Sequence, residues 1–208
     1  VVIMTGGSGL YVRAVLEGMD AMPDTDPQVR EQLIQQYEEQ GLAPLIEKLQ
    51  VLDPVYFNQV DKANPQRVVR ALEVCLSSGK PYSDFRKSEK PERPFNVIKI
   101  ALNRDRVELY SRIDQRMDLM LEQGLLEEAK ALYPYREHNA LQTVGYKEIF
   151  DYLEGKYDWE EAVRLLKRNS RRYAKRQLTW FNKHPEEYTW FHPQQWQELV
   201  AFINERIR

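Results

Sequence analysis

The chain is poorest in the residues that staple or metallate a protein. One cysteine, Cys75, leaves no disulfide possible within its 208 residues, and it sits in an apolar helical register that suits a small buried side chain. The three histidines, His138, His184 and His192, have no ligand-like spacing, so no structural metal site is expected. No apolar run approaches the roughly 18 residues of a membrane span. No secretory signal pattern occurs either, and a reducing cytoplasm is the expected compartment, with no membrane partner. A Gly-Lys-Ser/Thr sequence is absent throughout, which excludes a Walker-type phosphate loop within these residues. No internal repeat is evident. An initiator methionine is also lacking: VVIMT opens inside a β-branched apolar run, as a buried strand would, and the chain is expected to be a piece whose N-terminal part is missing.

What is present is a soluble composition with one charge anomaly. Hydrophobic residues make up 42%, enough for a core, and charged residues 30%, with a net charge of −2. Against that balance, residues 167–183, KRNSRRYAKRQLTWFNK, carry Lys167, Arg168, Arg171, Arg172, Lys175, Arg176 and Lys183 without one acidic residue. At helical spacing Val163, Leu166, Tyr173, Ala174, Gln177 and Phe181 share one side, and Arg164, Arg168, Arg171 and Lys175 share the opposite one. A helix docked by an apolar stripe with an outward cationic ridge points to a polyanion as partner. The alternative is an ordinary solvated face, although such helices usually interleave glutamates for i,i+4 pairing.

In chain order, residues 1–5 read as a buried strand, followed by the Gly6-Gly7-Ser8-Gly9 turn and a helix. Free N–H groups at such a helix start suit an anion, but glycine turns also occur there for tight packing alone. Residues 20–76 read as helical throughout. Asp26-Pro27, Asp53-Pro54 and Asn64-Pro65 each pair a cap with proline at the first helical position, and Gly41 and Gly79 are stops. Arg67 and Arg70 stand together on the last of these helices, an arrangement that salt bridges also explain. Residues 80–94 are Pro-, Lys- and Ser-rich and read as a mobile connector. Strand composition returns at FNVIKIAL. Asp105 then caps a long helix, stopped at Gly124, on which Arg112 and Arg116 lie four apart. Two guanidiniums so placed suit one diphosphate, while pairing with Asp105, Glu108 or Asp118 is the competing reading. A shorter helix covers residues 125–132, Asp158 and Glu161 form a capping box at the head of the basic helix, and residues 188–191 read as a final short strand. Strands at start, middle and end, each followed by helices, give an α/β core interrupted by an all-helical block.

Several stretches together resemble one family: GGSGLY with LEG behind it, NPQRVVRALEV, LYSRIDQRMDLMLEQGLLEEAKALY, TVGYKE with YLEG, and RRYAKRQLTWF. In this order they resemble the bacterial-type tRNA dimethylallyltransferases, also called tRNA isopentenyltransferases. The resemblance implies an α/β, P-loop nucleotide-kinase-like core, incomplete here, made of residues 1–19 and 95–208. Residues 20–94 would form the helical insertion, with its linker, that grips the tRNA anticodon stem. It implies transfer of a dimethylallyl group from dimethylallyl diphosphate to N6 of the adenosine on the 3′ side of the anticodon. Magnesium would accompany the diphosphate, and a monomer is expected.

The family's P-loop and the aspartate proposed as general base are not in this sequence, so the chain alone is expected to be inactive. By the same resemblance Arg116, with Arg112, contacts the diphosphate. The tRNA contacts would be Ser8 (more often threonine in the family), Arg30, then Gln66, Arg67, Val68, Val69 and Arg70. Further contacts would be Gln142, Thr143, Val144, Gly145, Tyr146 and Lys147, and, on the basic helix, Lys175, Arg176, Gln177, Leu178, Thr179, Trp180, Phe181 and Asn182. Trp180 and Phe181 could stack on bases, though the stripe position of Phe181 equally suits packing. Two other functions stay open: prenylation of free AMP or ATP, and a non-catalytic RNA-binding module.

Overall fold

A computed structural model describes residues 1–86 and 92–207. The chain packs as two compact units, one of Val1–Val12 with Phe95–Arg208 and one of Arg13–Pro94.

The turn at Gly7-Ser8 starts α1 (Gly9–Glu17), after which the Arg13–Pro94 unit is helical: α2 (Pro27–Gln40), α3 (Ala43–Leu52), the single turn α4 (Pro54–Phe57) and α5 (Pro65–Ser78). Local chemistry sets these ends. Asp26 and Asn64 turn their side-chain oxygens to the N–H groups of Gln28 (2.9 Å) and Arg67 (3.2 Å), satisfying donors that a helix leaves orphaned at its start. Gly79 closes α5 at φ 69°, a left-handed cap that a side chain would disfavour. Leu33, Leu45, Leu49, Val68, Ala71 and Leu72 meet in the core of this unit.

Asp53, fully buried, does more than start α4. Its carboxylate accepts from the Tyr56 N–H (2.8 Å), the Ser83 N–H (2.7 Å) and the Ser83 hydroxyl (2.8 Å). The early connector is therefore pinned rather than mobile, with the Tyr82 ring edge-on to Tyr56 at 4.7 Å. Residues 87–91, the rest of the Lys- and Ser-rich run, lie outside the described residues.

In the other unit β1 (Ile100–Leu102) leads into α6 (Arg106–Glu122), α7 (Leu125–Leu132), α8 (Tyr146–Leu153) and α9 (Trp159–Phe181). The chain then forms β2 (Thr189–Phe191) and α10 (Trp196–Arg206). The strands run parallel, Ile100 opposite Thr189 and Leu102 opposite Phe191. Parallel pairing requires a crossover, and α6 to α9 supply it. Leu125, Ala129, Ile149, Phe150 and Leu166 form the core of this unit.

Residues 1–5 are not a strand. Val1, Val2 and Ile3 are 96, 95 and 84% exposed, because a β-branched run becomes a strand only where a ladder partner meets it, and none of the described residues does. Among the described residues no helix is long and apolar enough to cross a membrane.

Candidate nucleic-acid interface

Helix α9 is two helices in chemical terms. Its head is capped by Asp158, which accepts from the Glu161 N–H at 2.8 Å. The box expected there is only half made, since the Glu161 carboxylate takes Arg164 through two bonds of 2.6 Å instead. Ala162 and Leu166 are buried, and two of the next three cations are neutralised by α6: Lys167 meets Asp118 at 2.5 Å and Arg171 pairs with Asp114, while Arg168 donates to the Asn169 side chain at 3.2 Å. The continuous outward ridge read from the sequence is thus corrected, because Arg171 turns to an acid on the neighbouring helix and Arg164 to Glu161 on its own. Tyr173 also leaves the apolar stripe and is 43% exposed. From Arg172 onward the situation reverses. Arg172, Lys175, Arg176 and Lys183 are exposed, and among the described residues no carboxylate lies within ion-pair distance of them.

The glycine turn packs on this unpaired end. The Gln177 amide donates to the Gly7 carbonyl at 3.0 Å. A Cβ on Gly7 would fall 2.0 Å from Gln177 Nε2, and one on Gly9 would fall 2.0 Å from Trp180 Nε1. A side chain at either position would require Gln177 or Trp180 to move. Ser8 lies between them, exposed, its carbonyl accepting from the Tyr11 and Val12 N–H groups at 2.9 and 3.1 Å. Ser8, Gln177 and Trp180, far apart in sequence, are thereby neighbours. Phe181 instead packs edge-on to Tyr188 at 5.6 Å, and Leu178 is partly buried.

The segment from Gln142 to Lys147 is tied to the first half of α9 by a residue that the sequence reading missed. Glu148 is 5% exposed; its carboxylate accepts from the Gly145 N–H and the Asn169 amide, both at 2.7 Å. Its backbone carbonyl accepts from the Tyr157 hydroxyl at 2.8 Å, whose pKa burial, with Asp151 and Glu148 adding to it, pushes up to about 12. Gly145 has φ 112°, a conformation other residues rarely adopt. Gln142 is held through its amide to the Arg136 carbonyl (2.6 Å), and Tyr146 through its hydroxyl to Glu128, while Thr143 and Lys147 are exposed and Val144 is half-buried. The available signal for Glu148 was its place three residues after Gly145, where a side chain reaches back to the helix start.

Arg112 and Arg116 are exposed on α6. Every acid named as a competing partner is occupied elsewhere: Asp105 accepts from the Val107 N–H at 2.8 Å, Glu108 pairs with Arg104, and Asp118 with Lys167. Residues two apart on a helix lie roughly 200° around its axis. Arg112 and Arg116 therefore stand away from the Asp114 and Asp118 edge that faces α9.

In the helical unit Arg30 and Arg70 converge on Glu73, which no reading of the sequence singled out. Glu73 is 4% exposed and accepts from Arg30 (3.0 Å), Arg70 (3.2 Å) and the Thr25 hydroxyl (2.8 Å). Burial alone would raise its pKa; the Thr25 hydrogen bond and the two guanidiniums outweigh it and hold the carboxyl below its ordinary value. Gln66 and Arg67 are exposed on α5. Val68 and Val69, taken from the resemblance as tRNA contacts, are 0% and 6% exposed, and their side chains belong to the core. A contact motif written as five consecutive residues on a helix must include its inward face.

Comparison with known proteins follows the same residues. The family model described as IPP transferase matches residues 1–184. The chain belongs to that family. It is 54% identical over its whole length to a tRNA dimethylallyltransferase of Cytophaga hutchinsonii, spanning 68% of that protein. It is 49% identical to tRNA dimethylallyltransferase 1 of Bacteroides fragilis, spanning 69% of it. Among solved structures, the full-length tRNA isopentenylpyrophosphate transferase of Bacillus halodurans aligns over 95% of this chain and 63% of its own, at 38% identity and a TM-score of 0.58. A eukaryotic dimethylallyltransferase acting on tRNA aligns over 97% of this chain and 56% of its own, at 25% identity and a TM-score of 0.73. The family therefore accounts for both units, and the glycine turn and unpaired end of α9 fall inside the matched residues.

Proposed function

We propose that this chain works as a tRNA dimethylallyltransferase, transferring a dimethylallyl group from its diphosphate to N6 of the adenosine 3′ to the anticodon. The observation that carries the reading is the sorting of charge along α9. In its middle Lys167 and Arg171 are neutralised by Asp118 and Asp114, whereas its last cations, beside the Ser8 turn, meet no carboxylate among the described residues. Cations that fold stability does not use are available to a polyanion, and they make its affinity depend on salt.

In the transfer, N6 attacks the allylic carbon, the carbon–oxygen bond breaks with its electron pair remaining on the diphosphate, and the amino group gives its proton to a general base, which the family resemblance assigns to an aspartate that is not among these residues. Negative charge grows on the leaving oxygen. Arg112 and Arg116, one helical turn apart and without an acidic partner among the described residues, are suited to meet it, and Arg116 is assigned the stronger contact. Magnesium would travel with the diphosphate. Among the described residues no three His, Cys, Asp or Glu side chains come together to hold it. The parallel β1–β2 pair, joined by helices, fits the edge of a nucleotide-kinase-like α/β core, and the helical unit fits an insertion holding the anticodon stem.

The test offers labelled dimethylallyl diphosphate to the full protein with either unmodified tRNA or AMP. Label in tRNA alone is expected. Label in AMP would assign the chain to free-nucleotide prenylation, and tRNA bound without label would leave a binding module.

A further inference from the structure

A cleft of about 830 Å³ separates the first turn of α6 from the last turns of α9. It begins at Asn103, directly after the last residue of β1, and so lies at a strand's carboxyl end, where α/β sheets commonly bind ligands. Arg106 and Tyr110 stand on one wall; Lys175, Thr179, Asn182 and Lys183 stand on the other.

The charges in this cleft are unevenly committed. Arg104, also in the wall, is engaged by Glu108. Asp105 turns its carboxylate to the N–H groups of Val107 and Glu108 at 2.8 and 3.3 Å. Arg106, Lys175 and Lys183 have no carboxylate within ion-pair distance among the described residues. Arg106 is nevertheless held in place: its Nε donates to the Tyr110 hydroxyl at 3.2 Å, and its guanidinium lies 5.2 Å from the Tyr110 ring centre. A cleft with low-dielectric walls focuses the field of such cations more than a flat surface does. Cations on both walls of an open cleft suit a chain of phosphates passing through it. A mononucleotide would need an enclosing pocket for its base.

We propose that this cleft is a second RNA-backbone site, in which Arg106 and Lys183 neutralise phosphates of the strand that continues from the nucleotides held by the end of α9. The proposal rests on the tRNA reading above. It extends the interface from the basic stretch, which includes Lys183, across to Arg106 on α6, a residue that neither the sequence motifs nor the glycine turn mark.

The test measures the affinity of the full protein for unmodified tRNA across a range of salt concentrations. Arg106→Ala with Lys183→Ala is expected to weaken binding by about tenfold near physiological salt and to lower the log–log salt slope by about 2, one per lost phosphate contact. Arg106→Glu, also at an exposed position, should weaken it further. Lys130→Ala, which removes a cation elsewhere on the same unit, should change neither quantity. Wild-type binding with an unchanged slope in the double variant overturns the cleft and leaves the tRNA reading intact. Failure of the wild type to bind tRNA overturns the tRNA reading and the cleft with it. Should the double variant lose affinity for AMP and keep that for tRNA, the cleft is a mononucleotide site and the proposal fails.

Discussion

Glu73 and Glu148 are both buried carboxylates, one in each unit, and they are satisfied in opposite ways. Glu73 is met by two guanidiniums that remain 53% and 40% exposed, together with the Thr25 hydroxyl. Glu148 is met by a backbone N–H and a neutral amide. The difference bears on function. In the helical unit, Arg30 and Arg70 reach solvent already half-neutralised and fixed in direction. In the other unit, Glu148 takes no cation from α9, and the acids of α6 reach only its middle. Among the described residues no carboxylate pairs with the cations of the last turns of α9.

The sharpest way to break this comparison is Glu73→Ala. It leaves two guanidiniums facing each other without their acid and should cost about 3 kcal/mol of stability, read by urea unfolding. Because both arginines are partly exposed, added salt should shrink the difference from wild type. The same position predicts a pH dependence. The folded pKa of Glu73 lies below its ordinary value of 4.5, so its contribution is fully present above that value. It is lost as pH falls through the lower folded value, and the wild-type and Glu73→Gln stability curves should converge there.

Arg116→Ala removes a cation assigned to chemistry alone. It should lower turnover about a hundredfold with little change in tRNA affinity. Lys175→Ala with Arg176→Ala should instead weaken tRNA binding and flatten its salt dependence; equal effects of both variants on binding alone would undo the division of roles. Next in size is Glu148→Ala, expected to cost about 2 kcal/mol through unsatisfied Gly145 and Asn169 donors. Since its partners are neutral, that loss should not change with salt, which separates it from Glu73. The smallest effect belongs to Gly9→Ala. Its new methyl forces the 41% exposed Trp180 ring outward, for about 1 kcal/mol and a shift in tryptophan emission toward the exposed value.

Much of the fold was legible from local chemistry. Asp26, Asn64, Asp105 and Asp158 cap the helices they precede, because a cap is settled within four residues of chain. Strand composition over residues 95–102 and 188–191 likewise located the two strands, although only residues 100–102 and 189–191 pair and residues 95–99 form no strand. Residues 1–5 carry the same composition and form no strand, since pairing depends on a partner that composition does not name. In the candidate site, the basic helix and the Arg112–Arg116 pair were visible as spacing. Val68 and Val69 were drawn in by a contiguous motif that ignored the helix period.

By itself, then, the amino-acid sequence determined where helices begin, which faces are apolar, where cations accumulate and which family the motifs resemble. Only the tertiary structure decided which cations are free. Lys167 and Lys175 belong to one acid-free run, and only the packing of α6 against α9 lets Asp118 neutralise the first of them. The same holds for Gly7 and Gly9, whose lack of a side chain acquires its reason only when Gln177 and Trp180 close over them. Charge pairing and close approach depend on distances between residues remote in the chain, and those distances exist only once the chain has folded.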